Sequence, residues 1–319
     1  MTATRPRVAV VLGAGRGVRM RPLSDVLPKP ALPLPGGPVL ASAVRLAVAS
    51  GVRRVVVNCW HLADRMVTAI REVQLPDTDL LVSSEPELMG TAGGLALARD
   101  RGLLDDRGPV LVINADGLFN VNLEPLIEQH ADGDHRVTLG LLAHPDPSRW
   151  SRVWLGDGGL VTHILKPGAL RTAEQPFLYP GAMVVSRRSL DAIPVARCEI
   201  PDQIWWPALA ERRLGGVVIT GGWREIGTPE DYLSAALDLV RTRQVVHQTA
   251  QVAASARLRA VLIGRGCRVH ESAQVSDSVV AEGAVVQSGA RVVRSVLMGP
   301  VETSAGETII DEVRVPSVD

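Results

Sequence analysis

The chain of 319 residues is long enough for two domains, and 46% hydrophobic and 21% charged residues are typical of a globular protein with a substantial core. The formal net charge is zero, which argues against nucleic acid or an acidic membrane as a partner bound through bulk charge. No apolar run is long enough to predict a signal peptide or a membrane span. The three cysteines are far apart and show neither a metal-binding spacing nor a disulfide framework, so we expect a cytoplasmic protein.

Segments typical of strands and helices alternate through the first half of the chain. The predicted strands are 7–12, 52–58, 79–85, 108–116 and 135–144, and the predicted helices are 37–51, 62–73, 91–104 and 122–131. This order predicts an α/β domain with a Rossmann-like, doubly wound, mostly parallel sheet. Ligands of such sheets bind beyond the carboxyl ends of the strands, where the glycine loop 13–17 and Asp116 fall.

The middle of the chain, roughly 150–245, is less regular, but it contains a clear helix start. Thr228 is suited to cap a helix whose first position is Pro229, and Glu230 and Asp231 favour the positive end of the helix dipole.

From about residue 250, aliphatic residues recur every six positions with one-residue slips. The series is Val252, Leu258, Ile263, Val269, Val275, Val280, Val286 and Val292. Small or short aliphatic residues follow most of them four positions later, at Cys267, Ala273, Val279, Ala284, Ala290 and Val296. Such hexads are typical of a hexapeptide β-helix, with a meander of ordinary strands as the alternative. We therefore expect an α/β domain over residues 1–245 and a short left-handed parallel β-helix over 246–319.

Lysine occurs only twice, at Lys29 in DVLPKPALPL and at Lys166 in HILKPG, and every other basic residue apart from the histidines is arginine. The codon bias of a GC-rich genome would account for the imbalance. Under that bias, a lysine is retained more readily at a position that needs a compact ammonium group and that the broad, planar guanidinium of arginine cannot fill. The pattern favours a function for both lysines, although chance alone also leaves two.

Three glycines, Gly13, Gly15 and Gly17, follow the first predicted strand. Glycines there let the backbone approach a phosphate closely and point its N–H groups at it. The loop is not a P-loop, because no Gly-Lys-Ser/Thr follows. It is also a poor dinucleotide fingerprint, because the third glycine comes one place early. Alone, it is a weak indication of a phosphate site.

The wider segment LGAGRGVRMRPLSDVLPKPALPLPGGPVL resembles the opening of the sugar-1-phosphate nucleotidyltransferases, the nucleotide-sugar pyrophosphorylases. Later segments agree in order: VNCWHLAD, EPELMGTAGGLALA, VLVINADGLFNVNLEPLIEQH, ILKPG, YPGAMVVS and WREIGTPEDYL. The resemblance covers essentially residues 6–240 and implies the nucleotide-diphospho-sugar transferase fold. Mannose-1-phosphate guanylyltransferases and glucose-1-phosphate adenylyltransferases of this family also carry a hexad tail.

The resemblance implies transfer of a nucleotidyl group from an NTP to a sugar 1-phosphate, with Mg²⁺ as cofactor. It implies catalytic roles for Arg19, Lys29, Asp116 and Lys166. It implies nucleotide binding by Leu12, Gly13, Ala14, Gly15, Arg16, Gly17, Glu85, Gly90, Thr91 and Ala92. It implies sugar binding by Lys166, Gly181 and Asn114, and metal binding by Asp116 and Glu225. Ordinary alternatives are a solvated loop lysine at 29, a surface arginine at 19 and turn-forming roles for Asp116 and Gly181.

Three positions depart from the pattern of the family. Val18 replaces the usual threonine of the loop, and Leu165 stands where many members carry a glutamate beside the sugar-binding lysine. Glu225 occupies the place of a common metal-binding aspartate. Glutamate is a competent oxygen ligand but one methylene longer, so the second metal role is less secure than that of Asp116.

The segment from Glu85 to Gly94 resembles the base-lining segment of guanylyltransferases, so GTP and a GDP-sugar such as GDP-mannose or a GDP-heptose are favoured. The alternatives are a thymidylyl-, uridylyl- or adenylyltransferase acting on glucose 1-phosphate or a pseudo-sugar phosphate, or a non-catalytic regulatory subunit that binds nucleotide sugars. An acyltransferase working through the coil is disfavoured, because the coil is short and His270 is its only histidine beyond the linker. We expect a homo-oligomer, a dimer or larger, formed through the β-helix.

Overall fold

The computed structural model describes residues 5–73, 75–104, 107–168, 175–241 and 243–317. These residues form two compact units. The first contains the described residues of Met1–Gly15, Leu40–Trp60 and Gln74–Arg224, and the second contains those of Arg16–Val39, His61–Val73 and Glu225–Asp319. The second unit thus joins the C-terminal part of the chain to two earlier segments. The domain boundary expected after residue 245 stays a prediction.

The strands before the tail are β1 Val8–Leu12, β2 Pro33–Leu34, β3 Gly37–Pro38, β4 Arg54–Cys59, β5 Asp79–Ser84, β6 Val110–Asn114, β7 Gly117–Val121, β8 Val137–Ala143, β9 Arg152–Leu155, β10 Val161–Leu165, β11 Phe177–Leu178, β12 Ala182–Val185, β13 Leu214–Val218 and β14 Gly221–Glu225. The helices are α1 Ala41–Ala49, α2 Ala63–Glu72, α3 Gly90–Asp100, α4 Glu124–Asp132, α5 Arg187–Asp191, α6 Trp206–Ala210 and α7 Pro229–Val240. Every helix and strand predicted for the first half is present, with ends shifted by a few residues.

The large sheet of the first unit has the strand order β10-β9-β11-β8-β12-β6-β1-β4-β5, and β13 pairs with β8. β5, β4, β1 and β6 are parallel. The central residues of β4, β1 and β6, such as Val10, Val56 and Val112, are almost fully buried, as expected for strands covered on both faces, whereas β5 ends the strand order and is less buried. The predicted α/β fold with a mostly parallel sheet is confirmed. The irregular middle of the chain adds antiparallel strands to this sheet. β12 lies antiparallel between β6 and β8, and β9, β10 and β11 also pair antiparallel with their neighbours.

The tail forms a parallel β-helix, as predicted. Its strands are β15 Gln244–Val246, β16 Gln251–Val252, β17 Arg257–Ile263, β18 Arg268–Val269, β19 Gln274–Ala281, β20 Val285–Val286, β21 Arg291–Val293, β22 Val296–Met298, β23 Thr308–Ile310 and β24 Val313–Arg314. Each residue pairs with the one 17 positions later, as Leu258 does with Val275 and Val275 with Val292. A coil is therefore one residue shorter than three hexads, which explains the one-residue slip in the sequence pattern.

The second unit also contains the predicted helix start before α7. Thr228 Oγ1 accepts a hydrogen bond from the backbone N–H of Asp231 at 3.2 Å, and the Asp231 carboxylate accepts one from the N–H of Thr228 at 3.1 Å. This reciprocal capping box satisfies backbone donors that the first turn of the helix leaves open. Within the described ranges, none of the helices combines the length and apolarity needed to cross a lipid bilayer.

His130 on α4 gives the fold a predicted pH dependence. It is buried, with its Nδ1 2.9 Å from Thr138 Oγ1. Burial, and to a lesser extent the charge of His135, lowers the pKa of His130 from 6.5 to about 4. The unfolded imidazole takes up a proton below pH 6.5 and the folded one does not until about pH 4, so stability is lost as pH falls through this window. Between pH 7.5 and 5 we expect a loss of about 2 kcal/mol from this residue.

Urea unfolding of the wild type and of His130→Gln at both pH values measures this contribution. The free energy of unfolding should depend less steeply on pH in the variant, whereas the exposed control His163→Gln should keep the wild-type slope. Equal slopes for the wild type and His130→Gln would contradict the assignment.

Candidate functional site

Four central strands of the first unit end at the same edge of the large sheet. Leu12, the last residue of β1, lies between Asn58 of β4 and Asn114 of β6. The end of β4 in turn pairs with the end of β5, which is followed directly by Glu85. The carboxyl edge of the sheet thus carries the start of the glycine loop, the base-lining segment and the residues before Asp116.

The antiparallel strands extend this edge. Gly181 directly precedes β12, which starts beside the end of β6. β11 pairs with both the end of β8 and the start of β9, and Arg152 at the start of β9 pairs with Leu165 at the end of β10. Lys166, which follows β10, therefore lies along the same edge as Asp116. In the first unit, the structure thus aligns the residues predicted to bind the nucleotide, the metal and the sugar phosphate.

A buried hydrogen-bonded chain joins the glycine loop to the base-lining segment. Asn58 Oδ1 accepts from the backbone N–H of Gly13 at 2.7 Å, and Asn58 Nδ2 donates to Glu85 Oε1 at 2.7 Å. Glu85 Oε2 accepts from the N–H of Met89 at 3.0 Å. Asn58 is 2% exposed and Glu85 is 7% exposed. The Glu85 carboxylate therefore holds the segment that leads into α3.

Gly94 on α3 makes room for this chain. A Cβ at Gly94 would lie 2.6 Å from both Asn58 Nδ2 and Glu85 Oε1, which is too close for any side chain. Burial raises the pKa of Glu85, and the hydrogen bonds from Met89 N–H and Asn58 oppose that rise. Sequence reasoning missed Asn58, although its position at the end of a predicted strand, opposite the glycine loop, is a usable signal.

We expect Asn58→Asp to destabilise the protein, and more strongly at pH 8 than at pH 5.5. The new carboxylate faces the buried Glu85 carboxylate, and two like charges at hydrogen-bond distance cannot both stay ionised without a large cost. The cost at pH 8 should be about 2–4 kcal/mol, since a buried donor–acceptor pair is replaced by repulsion. Thermal unfolding at both pH values measures it. The exposed control Asn120→Asp should change little, and a pH-independent effect of Asn58→Asp would contradict the geometry.

The first turn of α3, which contains Gly90, Thr91 and Ala92, is bound by another segment of the same unit. Glu199 Oε2 accepts from the N–H of Thr91 at 3.0 Å and from its hydroxyl at 2.6 Å. The carbonyl of Cys198 accepts from the N–H groups of Ala92 and Gly93, both at 3.1 Å. The N–H groups of Thr91, Ala92 and Gly93 thus already have partners, and the nucleotide-binding role of Gly90, Thr91 and Ala92 stays a prediction.

Asn114 and Gly181 contact each other directly. The N–H of Asn114 donates to the carbonyl of Gly181 at 2.8 Å. Gly181 has a φ of 100°, and a Cβ there would lie within 2.9 Å of three side-chain atoms of Asn114. Only glycine fits this position, so Asn114 and Gly181, two of the three residues predicted to bind the sugar, form one joint surface. Asp116, two residues after Asn114, is half-buried.

The second unit contains the other predicted phosphate and metal ligands. The chain enters this unit at Arg16, after Gly15 of the glycine loop. Lys29 begins a short 3-10 turn and is only 8% exposed, and a Cβ at Gly17 would lie 3.4 Å from the Cβ of Lys29. The alternative of a solvated loop lysine does not fit this burial. Its side chain lies against the turn made by Gly17, whose carbonyl accepts from Ser24 Oγ at 2.9 Å.

Arg19 and Glu225 form an ion pair within the second unit. Arg19 NH2 lies 2.9 Å from Glu225 Oε1, with the arginine side chain 67% exposed and the glutamate side chain 13% exposed. Glu225 is close to the capped start of α7, since a Cβ at Gly227 would lie 3.3 Å from the Glu225 carboxyl carbon. The predicted phosphate ligand and the predicted metal ligand are thus partners of each other in this structure.

The donor chemistry of Asp116 and Glu225 fits Mg²⁺. In the described part of the chain, no three or more His, Cys, Asp or Glu side chains gather into a metal cage. Mg²⁺ is usually held by one or two carboxylates together with substrate phosphates and waters, so a protein cage is not required. The two carboxylates are hard oxygen ligands of this kind and would suit an ion that arrives with a triphosphate.

Comparisons with known proteins identify relatives of this chain. The sequence profile of a family described as "Nucleotidyl transferase" matches residues 8–242. A mannose-1-phosphate guanylyltransferase of Mycobacterium tuberculosis is 30% identical over 290 residues, covering 84% of this chain and 77% of that protein. Mannose-1-phosphate guanylyltransferase 1 of Arabidopsis thaliana is 26% identical over 270 residues, covering 82% of this chain and 74% of that protein.

Other relatives are longer than this chain. The mannose-1-phosphate guanylyltransferase catalytic subunit beta of Danio rerio is 28% identical over 229 residues, which cover 71% of this chain but only 62% of the fish protein. Among solved structures, HddC from Yersinia pseudotuberculosis superposes with a TM-score of 0.61 at 21% identity, covering 73% of this chain and 99% of HddC. At that identity the superposition supports the fold alone.

Proposed function

The chain belongs to the nucleotidyl transferase family, whose profile spans residues 8–242, and we propose that it transfers a nucleotidyl group from an NTP to a sugar 1-phosphate. GTP and mannose 1-phosphate are the favoured pair, with GDP-mannose and pyrophosphate as products. The observation that carries the proposal is the alignment of the glycine loop, Asp116 and Lys166 along one edge of the sheet. The names of the relatives favour the guanylyl and mannosyl choices.

In the proposed reaction, an oxygen of the sugar phosphate attacks the α-phosphorus of the NTP and pyrophosphate leaves in line. The nucleophile is already an anion, so neither a general base nor a covalent enzyme intermediate is needed. Catalysis then consists of holding two polyanions together and neutralising the charge that builds up in the transition state. Bound Mg²⁺ would supply part of that charge neutralisation.

The protein residues divide this work. The backbone of residues 13–17, with Arg19 and Lys29, would hold the phosphates of the NTP. Asp116, with Glu225, would hold the metal. Lys166 would hold the phosphate of the sugar, while the joint surface of Asn114 and Gly181 would contact its ring. The buried ammonium of Lys29 suits a fixed point charge, because less solvent competes for it than at the surface.

The ion pair between Arg19 and Glu225 has to open under this proposal, since one partner turns to phosphate and the other to the metal. The Arg19 side chain is largely exposed and can turn to phosphate through solvent, whereas the Glu225 carboxylate is mostly buried and would gain the metal in place of the arginine. The presence of both Lys29 and Asp116 argues against a non-catalytic regulatory subunit, because a subunit that binds nucleotide sugars without turnover could lose either residue.

Product identification over a grid of substrates tests the proposal. GTP, dTTP, UTP, CTP and ATP are each combined with mannose, glucose, N-acetylglucosamine and heptose 1-phosphates in the presence of Mg²⁺, and the nucleotide sugars are identified by mass. The GTP–mannose 1-phosphate combination should give the most product. A different favoured combination would move the base or sugar assignment to one of the alternatives, and an empty grid would contradict the proposed activity.

We also propose that the β-helix mediates homo-oligomer formation, because a short coil leaves an end with unpaired strands. Light scattering of the purified full-length chain measures its mass in solution. A dimer or larger species supports the proposal, and a monomer at micromolar concentration contradicts it.

A further inference from the structure

We propose that Arg152 is a positioning residue that fixes the backbone of Lys166 for the phosphate of the sugar substrate. The inference rests on the proposed function and assigns a role to a residue that the sequence did not single out. It is drawn from three features of the first unit: the exposed place of Lys166, the buried guanidinium of Arg152, and a second tether that holds the same turn.

The β-sheet by itself does little to fix the position of Lys166. It is exposed and directly follows β10, which is the edge strand of the large sheet and has β9 as its neighbour. A catalytic lysine needs a fixed Cα, because the four-carbon side chain already has considerable rotational freedom to lose. Something other than β-sheet pairing has to define the position of this residue.

Arg152, on the adjacent strand β9, fixes the backbone of Lys166 by hydrogen bonding. It is only 9% exposed, and its Nε and NH2 both donate to the backbone carbonyl of Lys166, at 3.2 and 2.9 Å. Its guanidinium carbon also lies 5.7 Å from the centroid of the Trp154 ring. Two donors in a rigid planar fork converge on one acceptor, a geometry that a single ammonium or amide group cannot reproduce.

A second tether holds the other end of the same turn. The N–H of Gly168 donates to the carbonyl of Pro147 at 3.0 Å. Pro147 belongs to a turn that starts at Asp146, whose Oδ1 accepts from the N–H and hydroxyl of Ser148 at 2.9 and 2.6 Å. The segment from Lys166 to Gly168 is therefore attached to the segment 146–152 at two points, and Arg152 provides the one at the lysine itself.

Loss of the Arg152 fork should therefore affect one substrate and not the other. In Arg152→Gln we expect the KM for the sugar 1-phosphate to rise about 10- to 100-fold, the range in which a misplacement of about 1 Å acts. The KM for GTP should stay within twofold.

Three further variants separate the fork from the charge. Arg152→Lys should remain impaired, since it keeps the positive charge but loses the planar fork of two donors. Added methylguanidinium should restore part of the activity of Arg152→Ala. The exposed Arg188→Gln serves as the control and should behave as wild type in both KM values.

Three outcomes would overturn the inference: an unchanged KM for the sugar 1-phosphate in Arg152→Gln, a parallel rise of both KM values, or full activity of Arg152→Lys. Lys166→Ala, measured in parallel, separates this failure from that of the proposed function. If Lys166→Ala raises the KM for the sugar phosphate and Arg152→Gln does not, only the positioning role fails. If Lys166→Ala has no effect, the assigned role of Lys166 fails.

Hydrogen exchange tests the tether without turnover. The amide of Gly168 should exchange faster in Arg152→Gln than in the wild type, while the amides of β6 exchange as before. Unchanged exchange at Gly168 would contradict the positioning role even if the enzyme proves inactive with every substrate pair. Unchanged protection of β6 would at the same time show that the variant is folded.

Discussion

Replacing Asp116 by asparagine is expected to lower kcat for nucleotidyl transfer about a thousandfold, which corresponds to roughly 4 kcal/mol of transition-state stabilisation. Asp116 follows β6 at the carboxyl edge of the sheet and is half-buried, and we propose that its carboxylate holds the metal there. Asparagine keeps the size of the side chain and removes the charge that a hard divalent ion requires. Steady-state pyrophosphate release at saturating GTP and mannose 1-phosphate measures the loss.

Asp100→Asn is a matched control, since Asp100 is exposed at the end of α3, away from this edge. It should retain wild-type activity. The Mg²⁺ concentration needed for half-maximal GTP binding, measured by calorimetry, should rise in Asp116→Asn and stay unchanged in the control. An active Asp116→Asn enzyme with unaltered Mg²⁺ dependence would show that the carboxylate has only a turn-forming role.

Replacing Lys29 by methionine is expected to lower kcat/KM for GTP by about a factor of a thousand, because one fixed cation of the phosphate site is lost. Lys29 is nearly buried against the turn at Gly17, so no solvent counter-ion can easily take its place. Lys29→Arg should restore little, since the planar fork is larger than the ammonium and the space beside Gly17 is filled. Initial rates with varied GTP measure both variants.

Arg7→Met removes a positive charge from an exposed position just before β1 and controls for a general change in charge. It should leave kcat/KM for GTP unchanged. If Lys29→Arg were fully active, any cation would suffice at this position, and the reason offered for the retention of lysine would be wrong.

The parts of the fold that sequence alone predicts are those with local signals. Continuous aliphatic runs predicted the buried parallel strands, and Gly51, with a φ of 89°, follows the end of α1 as a helix-terminating glycine should. The motif from Thr228 to Asp231 predicted the capping box that the structure shows. The resemblance to nucleotidyltransferases is confirmed by the family profile, which matches residues 8–242.

The parts that sequence did not predict depend on contacts between distant segments. Asn58 bonds to Gly13, 45 residues away, and to Glu85, 27 residues away, and no local pattern connects them. The pairing of Arg152 with the Lys166 carbonyl follows from the antiparallel register of β9 and β10, which lie in the irregular middle of the chain. The placement of β12 between β6 and β8 is likewise a choice of tertiary packing, since its aliphatic run fits a parallel or an antiparallel neighbour equally well.

The β-helix could be predicted from the sequence in part. Its hexads are local signals, and they predicted the type of fold. The 17-residue coil becomes evident only when the register of neighbouring strands is known. Left-handed backbone at Ala260, Asp277, Arg294 and Asp311 recurs at the same spacing, so one corner of each coil repeats with three different side chains, those of Ala, Asp and Arg. Sequence patterns at such corners are weak because the corner is set by the stacking of coils.

Pyrophosphate release by the wild-type protein with Mg²⁺ is the first measurement of the proposed transfer, in three arms: GTP alone, mannose 1-phosphate alone, and both together. We expect release only in the third arm, with one GDP-mannose formed for each pyrophosphate, and loss of both products in Lys29→Met. Release from GTP alone at the same rate would indicate a hydrolase, and silence in all arms with GTP binding intact would contradict the proposed transfer of a guanylyl group to mannose 1-phosphate.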